Sequence, residues 1–441
     1  MMIAKLAAML QGLFQESAQQ VADDCGVIQR QRKFTAVTLA ETFVMGFLAN
    51  PHASHEELAQ TAALCGVEVT PQAIDQRFTP RLAAFLEGLF RRALKQSLQA
   101  TASLAPLLER FAEVTVLDST TISLPAEQSE RFRGCGGSHG AGRAAMKLQV
   151  MWDLRRGAFT AMGIEAGRDC DYKTPLQSLA PLPGSLRISD LGYFAIEVFE
   201  QIGRQGAFWL SRLQFGTSLF LPNGAPLRWL EWLSRQTESV IDQAILLGSE
   251  RKMPCRLLAW QLPEEVANRR RQKLLAETRH KYGRTPTAER LAWCGWTILV
   301  TNVPAEKLVP QEMAVLYRAR WQIELLFKRW KSLGLVAQLQ GSSVPRQMVR
   351  LWARLLAVLV EQWFLVGSVW GDTRHSLWKA GQAIRRHVLL VVAALGNQGQ
   401  LEAAIEFLCR VIRATTRQNK RKRPSTFELL NNPGRLEYSL T

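Results

Sequence analysis

The order of strand-like and helical segments between residues 113 and 213 constrains the fold of this chain most. β-Branched residues dominate EVTVLDSTTISLP (113–125), and two strands that turn near Arg156 and Gly157 are predicted for MKLQVMWDLRRGAFTAMGIEAG (146–167). The segments that follow are a short helix, a strand, a helix and a strand, at residues 175–179, 185–194, 195–206 and 207–213. This order predicts helices packed on a mixed sheet.

The same order is that of a ribonuclease-H-like core. The patterns of apolar residues before and after it are different. The N- and C-terminal regions show the three- and four-residue apolar spacing of helices. Two strand-like pieces (255–262 and 296–303) and a very basic helical segment (264–284) lie between. We therefore predict a multidomain α+β protein with four regions: helical 1–110, a core at 111–213 and 311–345, a β-rich basic insertion at 214–310, and helical 346–441 with a basic tail.

The net charge favours a polyanionic partner. The 441 residues include 55 Lys and Arg against 38 Asp and Glu, which gives +17 at pH 7 and a pI near 10.0. Such a balance is typical of proteins that bind nucleic acid. The tail RQNKRKR (417–423) fits phosphates or a solvated end equally well.

Several classes of protein are disfavoured. The seven cysteines are scattered without a Cys-x-x-Cys pair, so neither a structural zinc site nor a secreted disulfide scaffold is expected. The N-terminal apolar run lacks the cleavage site of a signal peptide. Arg354 and Glu361 interrupt the longest apolar stretch (351–370), which predicts a buried helix and no membrane span. We expect a cytoplasmic, nucleoid-associated protein.

Residues 54–78 have the pattern of a helix-turn-helix. Ser54 can cap a first helix with Glu57 as its capping-box partner, and Gly66 suits the turn. The second helix would present three side chains to base edges or phosphates: Gln72, Gln76 and Arg77. A plain helical hairpin is the alternative.

Three carboxylates from separate elements are candidate metal ligands. Asp118 interrupts an apolar strand, Asp190 ends a later strand, and Glu324 lies on a helix near residue 320. Two Mg²⁺ ions held by converging carboxylates can activate a nucleophile and stabilise a phosphoryl transition state. Each acid also has an ordinary interpretation, because strand-end aspartates often cap turns and helical glutamates are usually solvated. The rival acids near the same sheet are Asp153, Asp169 and Asp171.

The stretch YRARWQIELLFKRWK (317–331) places polar residues at helical intervals. In one continuous helix, five of them would lie within about 80° of one another around the axis: Tyr317, Arg320, Glu324, Lys328 and Lys331. The alternative is an amphipathic surface helix with a Glu324–Lys328 pair.

The spacing Tyr317-x2-Arg320-x3-Glu324-x6-Lys331 resembles the YREK signature of bacterial insertion-sequence transposases of family four. Asp118 in LDST and Asp190 in DLGYF resemble their catalytic aspartates. The resemblance covers about residues 113–335. It implies a ribonuclease-H-like catalytic core and two Mg²⁺ ions, replaceable by Mn²⁺, on Asp118, Asp190 and Glu324. It also implies phosphate contacts for Tyr317, Arg320 and Lys331, and helix geometry adds Lys328.

By this resemblance, the chain is expected to bind the terminal inverted repeats of its element as a homodimer in a synaptic complex. It would cleave a strand at each end and transfer the 3′-hydroxyl to target double-stranded DNA, without a membrane or a small-molecule substrate. Trp296, or nearby Trp293, is expected to stack on a flipped base, unless it is a core residue. The alternatives are a catalytically silent DNA-binding regulator and a metal-dependent nuclease without strand transfer.

Overall fold

The computed structural model describes residues 2–29, 33–100, 105–135, 144–236, 238–339, 341–419 and 423–437. Lys420, Arg421 and Lys422 of the predicted basic tail lie outside the described residues.

The described residues form eighteen α-helices, which hold slightly less than half of them. They are α1 (Met2–Gln11), α2 (Ala18–Cys25), α3 (Ala36–Ala49), α4 (His55–Leu64), α5 (Pro71–Asp75), α6 (Pro80–Ala93), α7 (Pro106–Glu109), α8 (Ile196–Arg204), α9 (Trp229–Ser234), α10 (Glu264–Tyr282), α11 (Ala288–Trp293), α12 (Pro310–Ala319), α13 (Trp321–Ser332), α14 (Val344–Ser368), α15 (Leu377–His387), α16 (Leu389–Val392), α17 (Gln398–Thr415) and α18 (Thr426–Asn431).

The strands are β1 (Val114–Leu124), β2 (Ala144–Asp153), β3 (Phe159–Ala166), β4 (Leu186–Ser189), β5 (Phe208–Arg212), β6 (Leu219–Phe220), β7 (Val240–Leu247), β8 (Met253–Gln261) and β9 (Trp296–Thr301). A 3₁₀ turn at Pro175–Ser178 stands where a short helix was predicted. The predicted order of segments between residues 113 and 213 is therefore confirmed, and the protein is α+β with a mixed sheet and many helices.

The chain divides into two compact units. The first comprises Met1–Leu104, Ser119–Asp169 and Ile323–Lys420, and the second comprises Ala105–Asp118, Cys170–Gln322 and Arg421–Thr441. The four regions predicted from the sequence are a different division of the chain, and their boundaries stay a prediction.

In the first unit, α14 is the central helix. Its residues from Leu351 to Val366 are all buried, and α3 and α6 pack against it. Buried Arg354 donates to the carbonyl oxygens of Pro51 and Leu335, at 2.9 and 3.0 Å, which satisfies its charge without a carboxylate. Among the described residues, no helix is long and apolar enough to cross a membrane. The predicted buried helix is thus confirmed.

The second unit contains a mixed sheet in the order β1–β4–β5–β9–β8–β7–β6. β1, β4 and β5 are parallel neighbours, whereas β9, β8, β7 and β6 continue the sheet with antiparallel pairing. Helix α8 covers the parallel part, where Phe199 stacks on Trp209 with ring centroids 4.3 Å apart. The carboxyl ends of β4 and β5 consequently lie at one edge, beside the point where β1 leaves its pairing with β4.

The continuous helix predicted at residues 317–331 is interrupted. α12 ends at Ala319 and α13 begins at Trp321, with Arg320 between them at φ −50° and ψ −36°. Arg320 donates its backbone N–H to the Tyr317 carbonyl, three residues earlier, so the turn tightens without leaving the right-handed helical region. The arc of five side chains calculated for one ideal helix therefore applies only to the part within α13.

Candidate active site

Two aspartates lie side by side at the carboxyl edge of the parallel strands. Leu117 of β1 is in register with Ser189 of β4. Asp118 and Asp190 are the next residues on their strands, and neighbouring strands are about 4.8 Å apart. The Asp190 side chain makes no capping hydrogen bond to the 3₁₀ turn that follows it. The capping role that strand-end aspartates often have is therefore excluded for Asp190.

Arg320 provides a positive charge at this edge. Its Nη1 atom lies 3.5 Å from Oδ2 of Asp118, and the two side chains are only 14% and 19% exposed. Partial burial strengthens the attraction because less water screens it. The Arg320 guanidinium is thus the counter-charge of the first aspartate.

Tyr317 and Arg212 complete the edge. Ser211 of β5 is in register with Ser189, so Arg212 follows Asp118 and Asp190 along the same row. The Arg212 guanidinium carbon lies 5.8 Å from the centre of the Tyr317 ring. Burial raises the pKa of Tyr317 to about 12, with the charges of Arg212 and Arg320 opposing the shift and that of Asp190 adding to it. The phenol is therefore a hydrogen-bond donor at neutral pH.

The donors of this group have unmet bonding capacity. The Tyr317 hydroxyl and the Arg212 Nε are buried and donate to no acceptor among the described residues. The Arg320 guanidinium near the hydroxyl is itself a donor, so it leaves the proton of the phenol without an acceptor. Buried donors without partners are rare in folded proteins, and they mark places where a ligand supplies the acceptor. An oxyanion is the acceptor that suits a neutral phenol beside a guanidinium.

A cavity of about 440 Å³ opens beside these donors in the second unit. Three cations and three aromatic rings line it: Arg212, Arg318, Arg320, Trp260, Tyr317 and Trp321. Trp260 is buried, whereas Trp321 is 52% exposed. Guanidinium groups bind phosphates and aromatic faces stack on bases, so the cavity is suited to a nucleotide.

Within the first unit, α13 presents one polar face. Glu324 is half-buried, and Lys328 and Lys331 are exposed on the same side. On the opposite side, the buried Arg329 lies 3.2 Å from Glu361 and donates to Gln362 at 2.7 Å. These bonds tie α13 to α14 and set its rotation. The predicted alignment of Glu324, Lys328 and Lys331 is thus present.

The rival acids have other partners or positions. Asp153 accepts a hydrogen bond from the Arg155 backbone N–H, and Asp169 accepts one from that of Ala166, both at 2.9 Å. Both carboxylates therefore stabilise turns. Asp171 lies beside the turn after Asp190, with a carboxylate oxygen 3.7 Å from where a Cβ on Gly192 would sit.

In the part of the chain that the structure describes, no group of three or more His, Cys, Asp or Glu side chains is placed to bind a metal ion. Together, Asp118 and Asp190 offer two neighbouring carboxylates, and carboxylate oxygens are the hard ligands that Mg²⁺ prefers. The donor chemistry fits a divalent cation, and its coordination needs a further ligand.

Comparison with known proteins identifies the family. The model of the transposase DDE domain matches residues 109–360. The chain belongs to the DDE transposase family. It is therefore an enzyme that cleaves and transfers DNA strands and depends on divalent metal ions.

Similar proteins agree with this assignment. The chain is 28% identical over 366 residues to the transposase for insertion sequence element IS231B of Bacillus thuringiensis subsp. berliner, covering 78% of this chain and 75% of the relative. It is 25% identical over 444 residues to that for IS231E of B. thuringiensis subsp. finitimus, covering 95% and 89%. The putative transposase InsL for IS186A of Escherichia coli (strain K12) is 28% identical over 254 residues, covering 56% and 64%.

Trp296 of the transposase begins β9 and is half-buried against the apolar core of the second unit, as is Trp293. The cavity beside Tyr317 is lined instead by Trp260 and Trp321, which the sequence patterns did not single out. Arg212 was also missed. Its position at the end of a strand was the only signal in the sequence, and its place beside Asp190 comes from the pairing of β5 with β4.

The N-terminal helical pair has the predicted caps and an unexpectedly short second helix. Ser54 and Glu57 form the capping box of α4, and Gly66 takes φ +76° in the turn. α5 ends at Asp75, so Gln72 lies on it, Gln76 caps it, and Arg77 follows it. The interpretation of all three as residues of one recognition helix is therefore corrected, while their contact with DNA stays a prediction.

Proposed function

We propose that this transposase binds the terminal inverted repeats of its insertion sequence and acts on DNA at Asp118, Asp190 and Glu324. It would hydrolyse a strand at each end and then direct the freed 3′-hydroxyl at target DNA. The observation that carries the proposal is the parallel register of β1 with β4, which leaves Asp118 and Asp190 adjacent where that pairing ends. Ser119 is not needed as a nucleophile, because water and a hydroxyl attack phosphorus directly.

The three carboxylates would hold two Mg²⁺ ions, for which Mn²⁺ can substitute. Bound there, the ions supply Lewis-acid stabilisation of the attacking and leaving oxygens. Asp118 and Asp190 come from rigid strands, and Glu324 comes from a helix whose rotation is fixed through Arg329. Metal ligands must keep a fixed geometry, and side chains on strands and on a packed helix meet this requirement.

The cations would bind the DNA backbone. Arg320 neutralises Asp118 in the protein alone and would turn to a phosphate once metal ions balance the carboxylates. Tyr317 would donate its hydroxyl to a phosphate oxygen, with Arg212 beside it. Lys328 and Lys331 would contact phosphates further along the strand.

Other residues of the chain would contact the DNA away from the phosphate that reacts. A flipped base would stack on Trp296 as predicted, or enter the cavity that Trp321 lines. In the first unit, Gln76 and Arg77 line a cavity of about 710 Å³ with Lys33 and Arg81, a basic lining that suits a DNA backbone. Gln72 would read an adjacent base or phosphate. Two copies would hold the two element ends together in a synaptic complex.

The decisive test is metal-dependent cleavage of DNA that carries the element ends, with Glu324→Gln and Asp190→Asn as variants. Several kcal/mol of lost transition-state stabilisation correspond to a rate at least about a thousandfold lower. Glu306→Gln, in an exposed loop, is the matched control and should cleave at the wild-type rate.

The products separate the alternatives. Strand-transfer products joined to a target plasmid support the transposase. Nicks that never become joined would indicate a metal-dependent nuclease, and tight binding of the ends without any cleavage would indicate a silent regulator.

A further inference from the structure

Helix α10 has a composition that its own packing does not explain. Its 19 residues span about 28 Å, yet only Ala267 and Thr278 are buried. A helix that is polar on nearly all sides gains little from packing against a core. Its exposed surface therefore has a use other than stabilising the second unit.

The first half of α10 is anchored beside the active-site cavity. Arg270 donates to the Trp296 carbonyl at 3.2 Å and to Thr297 Oγ1 at 3.4 Å, and Thr297 lines that cavity. Arg271 pairs with Glu264 at 2.6 Å. The cations of this half thus serve the structure of the second unit.

At the carboxyl end of α10, the cations are not used in this way. We name this end, together with the residue that follows the cap, the α10 tip: Arg279, Lys281, Tyr282 and Arg284. Tyr282 is 56% exposed, with Lys281 Nζ 5.3 Å and Arg284 Cζ 5.4 Å from its ring centre. None of the three cations forms an ion pair with an acidic side chain in the described parts of the chain. Cations around an exposed ring match the phosphates and sugars of a DNA backbone.

The length of the helix gives the tip a defined reach. Tyr282 lies twelve residues after Arg270, which is about 18 Å along an α-helix. Duplex DNA rises about 3.4 Å per base pair, so this reach corresponds to about five base pairs.

We propose that the α10 tip binds the backbone of double-stranded DNA about five base pairs from a phosphate bound in the cavity that Thr297 and Tyr317 line. The inference rests on the proposed function, since that function assigns a phosphate to Tyr317. The partner is duplex DNA because the tip offers several cations to the regular row of phosphates along a double helix.

Binding would be measured without divalent metal, so that no cleavage occurs, by fluorescence anisotropy of full-length protein on a 40-base-pair end duplex. The tip variant carries Arg279→Gln, Lys281→Gln and Arg284→Gln. Loss of three phosphate contacts should reduce the slope of log K against log salt by about 2.7. Affinity at 100 mM salt should fall roughly ten- to hundredfold.

Two controls isolate the tip from net charge and from folding. Arg204→Gln, Arg228→Gln and Arg235→Gln together remove the same charge from exposed positions of the second unit and should leave the slope near wild type. Exchanging lysine and arginine at the three tip positions keeps the charge and should keep the slope.

A length series locates the contact. End duplexes would be trimmed in two-base-pair steps on either side of the cleavage position. The affinity of the wild-type protein should drop once fewer than about five base pairs remain on the side that the tip contacts. The affinity of the tip variant should show no such drop. A tip variant with the wild-type slope, or an equal loss on single-stranded DNA of the same sequence, would overturn the inference. Cleavage by the tip variant at saturating protein should persist, whereas failure of the proposed function would abolish cleavage in wild type as well.

Discussion

Replacing Tyr317 by phenylalanine separates a role in stability from a role in DNA processing. The hydroxyl is buried without a hydrogen-bond acceptor among the described residues, and burial raises the pKa of Tyr317 to about 12. A buried polar group without a partner costs about 1–3 kcal/mol. Removing this oxygen alone should raise the free energy of unfolding by about 1 kcal/mol. The packing of the ring against Arg212 is retained, because phenylalanine keeps the aromatic face.

The same substitution should impair catalysis. A hydrogen bond from the phenol to a phosphate oxygen contributes about 1.5–3 kcal/mol, since the acceptor is charged. Its loss corresponds to cleavage roughly ten- to hundredfold slower. The assay is single-turnover cleavage of end DNA at saturating protein, beside urea unfolding followed by tryptophan fluorescence. The expected result is a protein that is more stable and less active.

Tyr172→Phe is the matched control, because the Tyr172 side chain is 49% exposed and water solvates its hydroxyl. It should change neither stability nor cleavage. A lower free energy of unfolding for Tyr317→Phe would contradict the prediction, because it would mean that the hydroxyl has an acceptor in the protein. Cleavage by the variant at the wild-type rate would contradict it equally.

Three further predictions concern the first unit. Burial raises the pKa of Glu41 to about 7 from 4.5, so between these pH values the folded state keeps a proton that the unfolded chain releases. The free energy of unfolding should therefore fall by about 3 kcal/mol as the pH rises from 4.5 to 7. Glu41→Gln should remove this pH dependence in urea unfolding measured across that range. Glu361→Leu should destabilise by about 3–5 kcal/mol in urea unfolding, since it leaves Arg329 and Arg385 buried without their counter-charge. Ser54→Ala should cost about 1 kcal/mol in thermal unfolding by removing the cap of α4.

The sequence predicted the elements that depend on local pattern. β-Branched alternation located β1, and an acidic residue after an apolar strand located Asp190, because both signals lie within a few neighbouring residues. Parallel strands bring their carboxyl ends to one edge, so the pairing of Asp118 with Asp190 followed once the order of elements was known. The caps of α4 were predictable for the same local reason.

Features set by tertiary packing were not predictable. Nothing in ARWQ breaks a helix, yet α12 ends at Ala319 and α13 begins at Trp321. The ion pair of Arg320 with Asp118 joins residues 202 positions apart, a separation over which no local pattern carries information. Arg212 looked like an ordinary charged residue at the end of a strand. Its position next to Asp190 depends on the register of Ser211 with Ser189, which only the assembled sheet reveals.

The unmet donors at this edge explain why the second unit keeps an arrangement that weakens it. Tyr317 and Arg212 each bury a donor without a partner, and each could be replaced by an apolar residue at a gain in stability. They lie beside a carboxylate that already has Arg320 as counter-charge, so they are not needed to neutralise Asp118. Donors that the folded chain leaves unsatisfied gain most from an acceptor that arrives from outside. A DNA phosphate supplies that acceptor, and the stability given up in the free protein becomes binding energy available at the site of reaction.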